Sequence, residues 1–136
     1  MSRPARLLRR LAHSDAGATA LEFAIVCPLI FAFTFGTFET GRALYQRNKV
    51  AAACSDGARM LEIKGADDED DAEDAIEARF NSKELTNLTV SFTEENIDGV
   101  NFKKIEVSYD HDFLIKFSNA YSGVTLIATR YAPMMS

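Results

Sequence analysis

The hydrophobic pattern changes character three times along the chain. Residues 18–38 read ATALEFAIVCPLIFAFTFGTF, twenty-one positions with one charge, Glu22. A bilayer core of ~30 Å needs about 20 helical residues, so this run is long enough to span. A secretory signal has a shorter apolar part, about 7–15 residues, closed by a small-x-small cleavage site. Here Glu39 and Arg42 follow with no such site. Residues 39–64 contain no proline and many helix formers. Leu44, Ala51, Cys54, Ala58 and Leu61 recur at helical spacing, which predicts one stripe of an amphipathic helix. The stripe is small-sided, with Ala51, Ala52, Ala53, Ser55, Gly57 and Ala58, and small side chains let helices approach closely. The two segments together predict one helix over 18–64, roughly 70 Å long, its first half in lipid and its second half outside. Gly65 is its expected stop.

Beyond Gly65 the period shortens. The acids Asp67, Asp68, Glu69, Asp70 and Asp71 precede Ala72, Ala75, Ile76 and Phe80, which predicts a short helix near 69–81 with its negative charge at the N-terminus, where unpaired N–H groups point. Leu88, Val90 and Phe92 then alternate with polar residues, as do Ile105, Val107 and Tyr109. Asp98-Gly99 between them is a hairpin turn signal. Taken as the two-residue turn, it pairs Ile97 with Val100, Glu94 with Lys103, Phe92 with Ile105, Val90 with Val107 and Leu88 with Tyr109, so the apolar partners share one face. A third strand near Gly123–Ala132, apolar on both parities, follows a turn over Ser118–Gly123. The expected fold is α+β: a long N-terminal helix packed on a small antiparallel three-stranded sheet, with a short acidic helix between. The expected organisation is a basic leader over 1–17, a transmembrane helix over 18–38, its exported continuation over 39–64 and an exported α+β domain over 65–136.

Charge gives this organisation a direction. The chain of 136 residues has a net charge of −5. The first seventeen residues carry Arg3, Arg6, Arg9 and Arg10 against Asp15, a net +3, which leaves −8 on the rest. Basic residues ahead of the span place the N-terminus in the cytoplasm and the C-terminus outside. An acidic remainder argues against nucleic-acid binding, which needs clustered Lys and Arg. Cys27 and Cys54 on one helix would lie about 40 Å apart, too far for an intramolecular disulfide, and read as small apolar fillers or as contacts between subunits. His13 falls in the leader, and His111, between Asp110 and Asp112, reads as a solvated strand-end residue. No metal set, phosphate loop or catalytic pairing is legible, so neither a cofactor nor an enzyme activity is expected. Calcium binding by the acidic run is the alternative to a helix start, although its spacing does not match an EF-hand loop.

The segment Gly17-Ala18-Thr19-Ala20-Leu21-Glu22-Phe23 combines a basic leader, a glycine at the membrane edge and a carboxylate five residues on. A carboxylate in an apolar span is costly, and such residues are functional by default. The segment resembles a type IV prepilin cleavage site. More narrowly, Gly17-Ala18…Leu21-Glu22-Phe23-Ala24-Ile25-Val26…Pro28-Leu29, Glu39-Thr40-Gly41-Arg42-Ala43-Leu44-Tyr45 and Ala51-Ala52-Ala53…Asp56-Gly57-Ala58-Arg59 resemble the TadE-like pseudopilins of Tad (tight adherence) pilus systems. The resemblance covers about residues 9–61; Cys27 departs from the pattern.

That resemblance implies a structural minor pilin or pseudopilin in the bacterial inner membrane, incorporated into an adhesive pilus or priming its assembly. Gly17 and Ala18 would flank the cut made by a prepilin peptidase. Glu22 and Phe23 would serve assembly and recognition, and Pro28 would give a helix break, since proline cannot donate to the Ala24 carbonyl. The implied partners are the peptidase, other pilin and pseudopilin subunits, the inner-membrane pilus assembly platform and the lipid bilayer, with no nucleic acid. The alternative is an uncleaved single-pass anchor whose exported domain serves as a scaffold or binding module of the assembly machinery.

Overall fold

The computed structural model describes residues 15–65, 67–116 and 122–134, with side chains from Gly17 onward. The leader arginines and most of the expected 118–123 turn lie outside the described residues. The elements in chain order are helix α1 (Asp15–Lys64), helix α2 (Glu69–Glu77), a 3₁₀ turn (Leu85–Asn87) and strands β1 (Leu88–Ile97), β2 (Val100–Asp112) and β3 (Gly123–Pro133). The architecture is the expected α+β one: a long apolar N-terminal helix, a short helix and a three-stranded antiparallel sheet in the order β1-β2-β3. The chain divides into two compact units, Met1–Thr40 and Gly41–Ser136.

In the described residues the first unit is helix alone. Helix α1 takes in Gly17 and Ala18 and continues through Pro28 without interruption. Pro28 lies inside this helix, where it removes one N–H donor. Thr34, Thr37 and Thr40 return their hydroxyls to the carbonyls of Ile30, Phe33 and Gly36 at 2.8–2.9 Å. Such back-bonding satisfies a hydroxyl within its own helix where no water is available.

The second unit is built around the later part of α1. The helix stops at Lys64 because Gly65 adopts a φ of +126°, which lets its N–H bond the Leu61 carbonyl at 3.0 Å. Its buried stripe is Val50, Ala53, Cys54, Ala58 and Leu61, with Gly57 between them. Leu44, assigned to the stripe by spacing, is exposed, and Ala51 is half-buried. The face turns because two partners share it: the sheet takes Cys54, and α2 takes Gly57. Cys54 Sγ lies 3.7 Å from the Ile105 carbonyl and 3.6 Å from that of Ala128. A Cβ on Gly57 would stand 2.6 Å from Ile76 Cδ1 and 3.3 Å from the Ala72 carbonyl, so only glycine admits α2 at this distance.

Helix α2 buries Ala72 and Ile76 and ends four residues earlier than expected, at Glu77. The chain then tightens, with Arg79 bonding the Ile76 carbonyl and Phe80 that of Glu77, and Phe80 remains buried against the Tyr109 ring. The hairpin has the register read from its turn: Leu88 faces Tyr109, Val90 faces Val107, Phe92 faces Ile105, Glu94 faces Lys103 and Ile97 faces Val100. Asp98 and Gly99 both have positive φ, as a type I′ turn demands, and Asn96 Oδ1 accepts the Gly99 N–H. Strand β3 pairs Val107 with Ala128 and Tyr109 with Leu126, while Ile127 and Tyr131 stay exposed on the opposite face. His111 is corrected. Strand β2 runs on to Asp112, so His111 shares the parity of Ile105, Val107 and Tyr109 and is buried, with its ring edge-on to Phe113 at 6.1 Å.

Candidate functional site

The residues singled out by sequence lie on the first unit's helix. Gly17, Ala18, Glu22 and Pro28 are exposed on α1, as is Phe23. So are Leu21, Ile25, Val26, Leu29, Ile30, Phe31, Phe33, Phe35 and Phe38. None of the most apolar eighteen-residue window in this helix is buried. A water-facing surface of that kind would be strongly unfavourable, at roughly 25 cal/mol for each Å² of apolar area. The ring pair Phe31–Phe35, stacked at 6.2 Å one turn apart, adds to one side of it. Only Glu22 is charged between residues 18 and 38, and the threonine hydroxyls are already satisfied within the helix. The segment is thus suited to lipid on every side, apart from one carboxylate near its start. Cys27 is half-buried and unbridged.

The polar chemistry of the second unit serves packing. Glu84 receives Lys49 Nζ at 2.6 Å, Gln46 Nε2 at 2.9 Å and the Asn81 N–H at 2.9 Å. Burial pushes this carboxyl up, but those donors outweigh it and hold Glu84 down at about 2. Lys49 also lies over the Phe80 ring, 4.8 Å from its centre. Lys103, buried on the inner face of β2, bonds Glu69 at 2.7 Å and Glu94 at 2.9 Å, which ties the start of α2 to the sheet. These carboxylates, chiefly Glu69, raise the Lys103 ammonium above its ordinary value. The acidic run is thereby partly neutralised, since Asp71 pairs with Lys64 as well. Among the described residues no group of three or more His, Cys, Asp or Glu side chains is placed to hold a metal ion. Burial pushes the Cys54 thiol up, so it acts as an apolar filler.

Sequence reasoning paired Lys103 with Glu94 but missed its partner Glu69 and the whole Glu84 cluster. The parity of Lys103 with Ile105 and Val107 was the available signal for its burial. Nothing local marks Glu84, whose partners Gln46 and Lys49 are more than thirty residues away.

An exposed apolar helix leading into a small α+β unit fits a single-pass membrane anchor. Residues 17–59 match the family model of TadE-like proteins. Over that stretch, about a third of the chain, it is similar to TadE-like proteins. The match opens on Gly17 and closes before α2, so α2 and the sheet lie outside it. No curated protein and no solved structure matched the chain.

Proposed function

We propose that this chain is a structural minor pilin or pseudopilin, processed after Gly17 by a prepilin peptidase and drawn from the inner membrane into a Tad-type adhesive pilus or its priming complex. In this reading residues 1–17 are the leader, 18–38 cross the membrane with the N-terminus cytoplasmic, and 39–136 are exported. The observation that carries it is the order Gly17, Glu22, then an apolar helix with no buried face. Cleavage would remove Arg3, Arg6, Arg9 and Arg10 and leave an amine on Ala18. That amine on a neighbouring subunit would pair with Glu22, and a charge pair in hydrocarbon costs far less than a lone carboxylate. Phe23 would add apolar contact beside it. Other pilins and pseudopilins and the inner-membrane assembly platform would be its partners.

One feature favours the uncleaved anchor as a second reading: Gly17 and Ala18 lie within α1 as described, and a peptidase must open that turn to reach the bond. Paired substitutions separate the two. Gly17→Leu should leave the full-length chain in the membrane and abolish its incorporation into pili, read by immunoblot of membrane and sheared-pilus fractions. Glu22→Ala should still be cleaved but fail to incorporate, and Glu22→Asp should fall between. Normal pili formed while the uncleaved Gly17→Leu chain stays in the membrane fraction would establish the anchor reading. Normal incorporation of Glu22→Ala would refute the amine–carboxylate pairing.

A further inference from the structure

A three-stranded sheet in the order β1-β2-β3 has two free edges, and in the Gly41–Ser136 unit both are long and regular. Strand β3 runs eleven residues and β1 ten, about twice the common strand length. Both keep an unbroken register with β2, so no bulge turns either edge away. Beyond those ladders, no backbone hydrogen bond among the described residues is made by residues 89–97 or by β3. A regular, unpaired edge is a ready template for another strand. The core is also open along both edges: Val90 and Phe92 on β1, and Leu126 and Ala128 on β3, pack against it but are only half-buried. The edges differ in charge. Strand β1 carries Glu94 and Glu95, whereas the one charge on β3 is Arg130. Glu94 lies opposite Lys103 and Arg130 opposite Ile105, so both stand on the helix-covered face, and both are exposed.

We propose that β3 of one copy takes up β1 of a second copy as a parallel fourth strand, so that the sheet continues from chain to chain. Main-chain bonds would hold the added strand and side chains would select it. One register matches charge and shape together. With Arg130 beside Glu94 of the second copy, Ala128 falls beside Phe92 and Leu126 beside Val90, which closes both half-buried rims. On the opposite face Thr125 falls beside Thr89. An antiparallel addition with the same charge pair would instead set Ala128 against Asn96 and Leu126 against Asp98. Two β3 edges together would leave Arg130 without an acid, and two β1 edges would bring only acids. Within one chain Arg130 is level with Phe92, across Ile105. The proposed register therefore shifts each added copy by two residues, roughly 7 Å, along the strand. A contact between unlike edges that also advances does not close on itself, and it builds an open row. The inference uses only the Gly41–Ser136 unit and stands apart from the removal of residues 1–17.

Full-length chains carrying Cys27→Ala, with buried Cys54 left in place, are oxidised with copper–phenanthroline in detergent micelles and resolved on non-reducing gels. Thr89→Cys and Thr125→Cys in one chain should give a ladder of dimers, trimers and longer products, while either alone should remain monomeric. Within a chain β2 separates the two positions by about 10 Å, beyond the reach of an internal disulfide. Thr89→Cys with Thr129→Cys, four residues off the register, should stay monomeric. Adding Arg130→Glu should remove most of the ladder, and adding Arg47→Glu on α1 should leave it intact. A dimer from Ile127→Cys alone would mean that two β3 edges pair, and a ladder from the off-register pair would mean unspecific edge association; either overturns the proposal. So does a chain with Thr89→Cys and Thr125→Cys that stays monomeric while its circular dichroism matches that of the natural chain.

Discussion

Helix α1 is one secondary-structure element with two chemistries. In its first part the large apolar side chains are exposed, Phe33 by 78%; in its second part Val50 and Leu61 are each 1% exposed. The backbone is the same, and both parts contain glycine. Gly36 has nothing within 4 Å of where its Cβ would stand, whereas Gly57 has Ile76 at 2.6 Å. The second part is shaped by its neighbours in this chain. In the first part none of the most apolar window is buried among the described residues, which suits it, in the proposed role, to lipid and then to other subunits. A glycine or an aliphatic residue in α1 therefore means different things before and after Thr40.

The comparison can be broken by matched substitutions on full-length protein in detergent micelles, with urea unfolding of the second unit followed by circular dichroism. The largest difference is expected for isoleucine. Ile105→Ala empties a fully buried site and should cost about 2–5 kcal/mol, while Ile30→Ala should leave the transition where it was. Equal effects would mean that the first part packs against the second unit. Glycine comes next: Gly57→Ala should cost about 1–3 kcal/mol by pushing α2 away, against no measurable change for Gly36→Ala.

A smaller effect sharpens the contrast by pH. The folded carboxyl of Glu84, at about 2, lies below its ordinary 4.5. Its contribution is complete above about pH 4.5 and is lost as the pH falls toward 2. Glu84→Gln should therefore lower stability by about 1–2 kcal/mol at neutral pH, and the gap from the natural chain should close on acidification. A gap that persists undiminished at low pH would show that shape, not charge, makes Glu84 matter.

Local chemistry explains what could be read beforehand. The apolar helix, Gly65 as a stop, and the hairpin register all follow from neighbours in sequence: an uninterrupted apolar run, a residue that tolerates positive φ, and an Asp-Gly turn whose register agrees with strand alternation. The errors lie where distant segments decide. Leu44 was placed in the stripe because spacing does not reveal that α2 and the sheet share the face nearer Gly57. The acidic neighbours of His111 suggest a solvated strand end, yet β2 continues past it and buries the ring. Lys103 gains Glu69 and Glu84 gains Lys49 only once the chain has folded back. At the candidate site, the residues were legible because the signal is a contiguous motif. In the proposed role their partners belong to other molecules.

The central claim is that residues 1–17 are removed before the chain does its work, and intact-mass measurement of the chain recovered from pili tests it most directly. The account predicts a single species beginning at Ala18, lighter than the full chain by residues 1–17, with the full-length form accumulating when the prepilin peptidase is absent. A full-length chain in assembled pili, or a mature form beginning elsewhere, would contradict it.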